Sequence, residues 1–190
     1  MEDFRSITVS KGKPLQIDNP TSYNLIGQGA QGAVFQLSSK RCVKIYLKNE
    51  DAIRENHVLK IVNDANSPFF PKVYETGSNY IVMEYIKGPT LSQYLSKKKR
   101  MPRWLTKQLV RMLREMKKLK FARLDASPRH IFVVNGERLQ VIDHVNSFKK
   151  QIPYPREILA ELESRKLKKG FLRQVKRSNP YLYQKWSKLQ

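Results

Sequence analysis

The sequence predicts an α+β fold: a small antiparallel β-rich lobe carrying one helix, followed by a reduced, mainly helical part. Three observations predict it. Residues 22–47 and 72–86 are rich in Val, Ile, Tyr and Phe and are punctuated by Gly and Asn, the composition of short strands and hairpins. One helical segment separates these two regions. Beyond residue 97 the apolar spacing becomes helical over long stretches, and strands followed by helices argue α+β rather than alternating βαβ units. The 190 residues suit one domain spanning 1–190, large enough to bury a core without disulfides. There are no internal repeats.

Taken in order, residues 22–47 read as strands around a glycine-rich turn. Residues 50–63 read as a helix with acids in its first turn, and Ile53, Val58, Leu59 and Val62 fall near one face. Residues 103–121 carry the clearest helical pattern. Leu105, Leu109, Met112, Leu113, Met116 and Leu119 form an apolar stripe, with Lys107, Arg111, Arg114 and Lys118 largely off it. Ile131–Val134 and 139–142 flank Asn135-Gly136, the strongest short hairpin signal, because both turn residues accept positive φ. Residues 156–190 read as helical, with a break at Pro180.

Charge is the abnormal feature of the composition: 37 Lys and Arg against 16 Asp and Glu, a net of +21. Residues 97–123 hold twelve basic residues and one acid, Glu115, a net of +11, and residues 149–190 hold twelve and three, a net of +9. Such a field attracts polyanions, whether RNA, a ribosome or anionic lipid; a solvated helix face is the plainer reading of either run alone. No stretch reaches the roughly 20 apolar residues of a transmembrane helix. The N-terminus lacks signal-peptide character, and the single cysteine, Cys42, has no internal disulfide partner. A reducing, cytoplasmic setting is the expectation.

Gly27-Gln28-Gly29-Ala30-Gln31-Gly32-Ala33-Val34 matches GxGxxGxV. A dinucleotide-binding turn shares the spacing, but there a helix opens from the glycines. Here strand-type residues continue to Leu37 and a second strand, 42–46, follows, so the glycines read as a β-hairpin flap over phosphates. Lys44 stands in that second strand and Glu55 eleven residues further on in the helix. Glu50 and Asp51 are nearby competitors; Glu55 is preferred because Ile53, Val58, Leu59 and Val62 place the core-facing side close to it. Next come Val82-Met83-Glu84-Tyr85-Ile86, then Arg123-Leu124-Asp125-Ala126-Ser127-Pro128-Arg129-His130, then Asp143-His144-Val145.

In this order the motifs resemble the protein kinase superfamily, and the resemblance runs from about Asn24 to Asp143. It implies a two-lobed kinase-like fold, with an N-lobe of about 1–83, a hinge at 84–86 and a C-lobe of 87–190. It implies that Gly27, Gln28, Gly29, Ala30, Gln31, Gly32 and Val34 cover ATP, with Lys44 on its phosphates and Glu55 holding Lys44. Met83 would back the adenine, and Glu84 and Ile86 would offer backbone groups to it. Asp125 would orient the acceptor hydroxyl and take its proton; Asp143, with His130 in place of the usual Asn, would hold Mg²⁺ or Mn²⁺.

Departures accompany the match. Ser127 replaces a lysine, with Arg129 a candidate for the missing charge. Leu124 stands where an arginine meets a phosphorylated activation loop. His144-Val145 replaces Phe-Gly, and only 47 residues follow Asp143. In outline the chain resembles compact bacterial Ser/Thr kinase-like proteins of the YrzF type, which share their build with RIO and lipopolysaccharide kinases. The expected activity is ATP-dependent transfer to a hydroxyl, chiefly protein Ser/Thr. The alternatives are a small-molecule or sugar kinase, and a pseudokinase docking on RNA or a ribosome through its basic part.

Overall fold

A computed structural model describes residues 3–149 and 151–189. The chain divides into two compact units, Met1–Ile86 and Lys87–Gln190, and the fold is α+β with antiparallel sheets.

In the first unit, a 3-10 turn (Phe4–Ser6) leads to a hairpin of β1 (Thr8–Ser10) and β2 (Gln16–Asp18). The main sheet contains β3 (Asn24–Gly29), β4 (Gly32–Gln36), β5 (Arg41–Tyr46), β6 (Val73–Thr76) and β7 (Tyr80–Glu84), in the order β3-β4-β5-β7-β6. Helix α1 (Asn49–Asp64) packs on β5, β6 and β7. Side chains alternate across a strand, and β5 uses both faces. Val43 and Ile45 join Phe35, Val82, Phe4 and Ile7 in one buried cluster. Lys44 and Tyr46 point to the opposite side, where Glu55 of α1 receives both.

The apolar face of α1 is correctly anticipated at Val58, Leu59 and Val62, which are all buried. Ile53 is a correction, being 64% exposed. At about 100° per residue it lies nearly opposite Val62, whereas Glu55 falls centrally among the buried positions. Glu55, 2% exposed, is thus a core-facing acid even though one residue used to argue for it faces solvent.

The second unit contains α2 (Leu91–Ser96), α3 (Arg103–Lys118), β8 (Ile131–Val134), β9 (Arg138–Val141), α4 (Arg156–Ser164), α5 (Lys168–Ser178) and α6 (Pro180–Trp186). Thr90 and Gln93 form a reciprocal capping box at the start of α2. The apolar stripe of α3 is buried at Leu105, Leu109, Met112, Leu113 and Met116 against β9 and α5. This helix ends three residues before the expected 121. Lys120 takes φ 63° and the Phe121 N–H turns back to the Met116 carbonyl at 3.0 Å, a Schellman-type stop built without glycine. The β8–β9 hairpin turns through Asn135 (φ 48°) and Gly136 (φ 80°). Pro180 opens α6 rather than merely interrupting a helix, with the Asn179 side chain accepting from the Leu182 N–H.

Candidate active site

Within the first unit, the glycine motif forms the β3–β4 hairpin, with Gly29 paired to Gly32 and Ala30-Gln31 at the tip. Gly32 is demanded by the fold, since a Cβ there would stand 2.1 Å from the Ile45 carbonyl oxygen. Gly29 is not, because a Cβ would meet nothing within 4 Å. The absence of a side chain at Gly29 leaves its backbone open to an approaching group. Gln28 donates to the Leu15 carbonyl at 2.7 Å, tying the hairpin to the β1–β2 turn.

Lys44 Nζ lies 2.6 Å from Glu55 Oε2, with side-chain exposures of 13% and 2%. Tyr46 was not anticipated: its hydroxyl donates to the same oxygen at 2.8 Å, and its ring centroid is 4.9 Å from Lys44 Nζ. The two-residue spacing from Lys44 on a strand was the available signal, since it puts both side chains on one face. Asp51 instead pairs with Arg54 on α1, and so leaves Glu55 as the partner of Lys44. Met83 is buried and paired in register with Cys42. The Glu84 N–H donates to the Lys72 carbonyl at 2.8 Å, so its donor is engaged within the sheet. Ile86 is buried at the end of the unit. Burial also pushes the Cys42 thiol up to about 12, making it an inert packing residue.

Within the second unit, a cavity of about 230 Å³ is lined by Asp125, Ser127, His130, Asp143, His144 and Glu157, among others. Two backbone bonds assemble it. The His130 N–H donates to Ser127 O at 2.8 Å, and the Ile142 N–H donates to His130 O at 2.9 Å, holding the start of β8 against the end of β9. His130 Nδ1 therefore stands 3.5 Å from Asp143 Oδ2. Asp143 has φ 65°, a left-handed conformation that Asp tolerates better than most residues. The turn's conformational demand thus falls on Asp143 rather than on Val145, which is buried where the motif has its glycine.

His144 is a packing residue. It is 2% exposed, and its Nε2 lies 2.9 Å from the Val141 carbonyl and its Nδ1 3.3 Å from Ser147 Oγ. A carbonyl only accepts, so Nε2 carries a proton and donates it to Val141. Its ring also meets Phe121 edge-on at 5.9 Å.

Asp125 is 6% exposed, and its Oδ1 accepts the Glu157 N–H at 2.7 Å in the first turn of α4. Burial holds its carboxyl above the ordinary carboxylate range, and the Glu157 N–H opposes this without cancelling it. Arg123 bonds the Asp125 carbonyl (3.0 Å) and the Glu157 carboxylate (3.0 Å), bracing loop and helix together. Sequence reasoning missed Glu157, because nothing local marks a helix thirty-two residues away as the neighbour of Asp125. Arg129, the candidate replacement charge, is exposed, does not line the cavity, and directs its field at Glu161.

Among the described residues no group of three or more His, Cys, Asp or Glu could hold a metal. Two donors, His130 and Asp143, suit an ion that keeps several waters and takes its other ligands from phosphates. Neighbouring ligands of such an ion stand about 3 Å apart, close to the separation seen here. The pair therefore fits an ion arriving with a phosphate ligand rather than a dedicated all-protein cage.

A lysine–glutamate pair behind a glycine hairpin, and two aspartates around one cavity beside a β-hairpin, define a protein-kinase-like protein. Residues 46–162 match the ABC1 atypical kinase-like domain, and the chain belongs to that family. The matched segment includes Glu55, Asp125, His130 and Asp143 and begins just after Lys44. The chain is also 37% identical over 76 residues to a Bacillus subtilis (strain 168) protein named "Putative serine/threonine-protein kinase YrzF". That stretch is 38% of this chain and 35% of the relative, so only about a third of the relative's length is covered. Among the described residues no helix is long and apolar enough to cross a membrane.

Proposed function

We propose that the protein is an ATP-dependent phosphotransferase acting on a hydroxyl, with protein Ser/Thr as the acceptor class. The observation that carries the reading is the cavity in the second unit, where a buried, raised-pKa aspartate and an aspartate–histidine pair share one lining. Backbone N–H groups around Gly29 cradle phosphate, and Lys44, oriented by Glu55 and Tyr46, neutralises phosphate charge. Asp143 and His130 would hold Mg²⁺ or Mn²⁺, which would supply charge neutralisation to the phosphates. Met83 backs the base, and the Glu84 carbonyl and Ile86 backbone face it.

Asp125 uses the oxygen not engaged by Glu157 to accept the acceptor's proton. The hydroxyl oxygen bonds to the γ-phosphorus, the bond to the bridging oxygen breaks, and ADP leaves. A carboxyl held above its ordinary range is the stronger base for that step. Most of the catalysis is positioning and charge neutralisation.

The test is transfer of γ-labelled phosphate from ATP to dephosphorylated casein. Wild type is expected to label the acceptor, and to do so faster with Mn²⁺ than with Mg²⁺, because imidazole suits the softer ion. Asp125→Asn should lose about 10²–10⁴-fold in rate. Labelling that is equal in the two proteins would overturn the assignment of Asp125.

A further inference from the structure

The charge of this protein is almost wholly that of one unit. The first unit carries ten basic residues against nine acids, a net of +1; the second carries 27 against seven, a net of +20. The phosphotransfer reading needs none of this excess. It is also ordered on the surface. Arg103, Lys107, Arg111, Arg114 and Lys118 of α3 are all exposed, and their spacing places them within roughly 80° of arc along about 22 Å of helix. Among the described residues none of the five has an ion-pair partner.

Most of the arrangement costs the helix stability, Lys118 in the last turn being the one position that the helix dipole favours. Like charges three and four residues apart repel by about 0.2–0.5 kcal/mol a pair. Arg103 also occupies the first turn, where the helix dipole disfavours a cation and no acid offsets it. A stripe that burdens its own helix is accounted for when an external polyanion neutralises it.

An aromatic group lies near Lys117, in the last turn of α3. Tyr181 of α6 is 58% exposed, the field of Lys117 in the last turn of α3 reaches it, and Lys185 Nζ stands 4.6 Å from its ring centroid. Lys176 lies 5.3 Å from the Tyr183 ring in the same way. Basic side chains interleaved with accessible rings suit unstacked bases, since phosphates meet the charges while a base stacks on the ring. A membrane surface fits less well. An interfacial helix inserts its apolar face into the bilayer, whereas that of α3 is buried in the unit's own core. Among the described residues Tyr181 is the second unit's only exposed large hydrophobic.

We propose that the solvent face of α3, with Tyr181 beside its C-terminal end, is a docking surface for single-stranded RNA. It acts independently of phosphotransfer, because none of these residues belongs to the catalytic machinery.

The experiment is fluorescence anisotropy of a labelled 20-nucleotide oligouridylate with the full chain, between 50 and 200 mM salt. One variant carries Gln at the five stripe positions. A charge-matched control carries Gln at Lys48, Lys60, Lys72, Arg138 and Lys149, all exposed elsewhere. The stripe variant is expected to bind at least about tenfold more weakly, with a salt slope shallower by about 3.5, the contribution of five released counterions. The control should stay within about threefold of wild type, and Tyr181→Ala should lose about tenfold at unchanged slope. Arg111→Gln with Arg114→Gln provides a milder second stripe variant should the fivefold one fold poorly, and its slope should fall by about 1.4. Equal loss in stripe and control variants would reduce the effect to net charge and overturn the proposal. Absence of RNA binding, or tighter stripe-dependent binding to phosphatidylserine vesicles than to RNA, would overturn it too. Casein labelling by the stripe variant keeps this result separate from the phosphotransfer test.

Discussion

Asp125 is a buried carboxyl whose proposed role as base accounts for its cost to the fold. Burial raises its carboxyl above the range of an unfolded aspartate, so the folded protein binds that proton more tightly than the unfolded chain does. The associated stability is fully present below the ordinary Asp range and is lost as pH rises through the folded value. At neutral pH the ionised carboxylate therefore burdens the fold. Asn at this position still accepts the Glu157 N–H, so Asp125→Asn should match or exceed the wild-type Tm at pH 7 while activity is lost. A Tm several degrees lower in a thermal melt would contradict this. The same shift sets the acid limb of the pH–rate profile, which should lie above the ordinary aspartate range. Glu55 makes the opposite case. Glu55→Ala leaves Lys44 facing a largely dry pocket and should destabilise by about 3 kcal/mol in urea unfolding. The resemblance singled out the two aspartates, Lys44 and Glu55, and the structure pairs Lys44 with Glu55 and sets both aspartates on one cavity. Tyr46 and Glu157 were not legible, because one looks like ordinary strand composition and the other reaches the site only through the fold.

Among the elements, the glycine hairpin separates structural from functional glycines. Gly32→Ala forces a Cβ onto the Ile45 carbonyl and should destabilise the first unit. Gly29→Ala meets no atom and should leave the melting curve unchanged while weakening ATP binding. Equal effects of the two on stability would refute the distinction. The strands around this hairpin were readable from composition, and α1 from apolar positions that repeat at helical spacing, but the strand order was not. Nor was the β1–β2 hairpin. Its strands are three residues long, too short for alternation to register, and its burial comes from Phe4, Ile7, Val9 and Ile17 joining a cluster formed by β4, β5 and β7. Ile53 failed for a related reason. A helix with few apolar residues leaves its buried face underdetermined, and α1 buries two acids as well as its aliphatics.

For the whole molecule, nearly all the net charge lies in the second unit, which carries both the Asp125–Asp143 cavity and the basic face of α3. The α+β class followed from strand-type composition giving way to helical spacing, and the kinase-like family from motif order, because each motif constrains the next one's element type. The substrate does not follow from these residues, since acceptor recognition depends on surfaces that carry no short motif. The central claim is that the chain binds a metal–nucleotide complex through Asp143. Its most direct test is calorimetric titration of ATP with Mg²⁺, with Mn²⁺ and without metal, on wild type and Asp143→Asn. Metal-dependent binding that the substitution abolishes is the expected result. No binding under any condition, or binding indifferent to both metal and substitution, would contradict it.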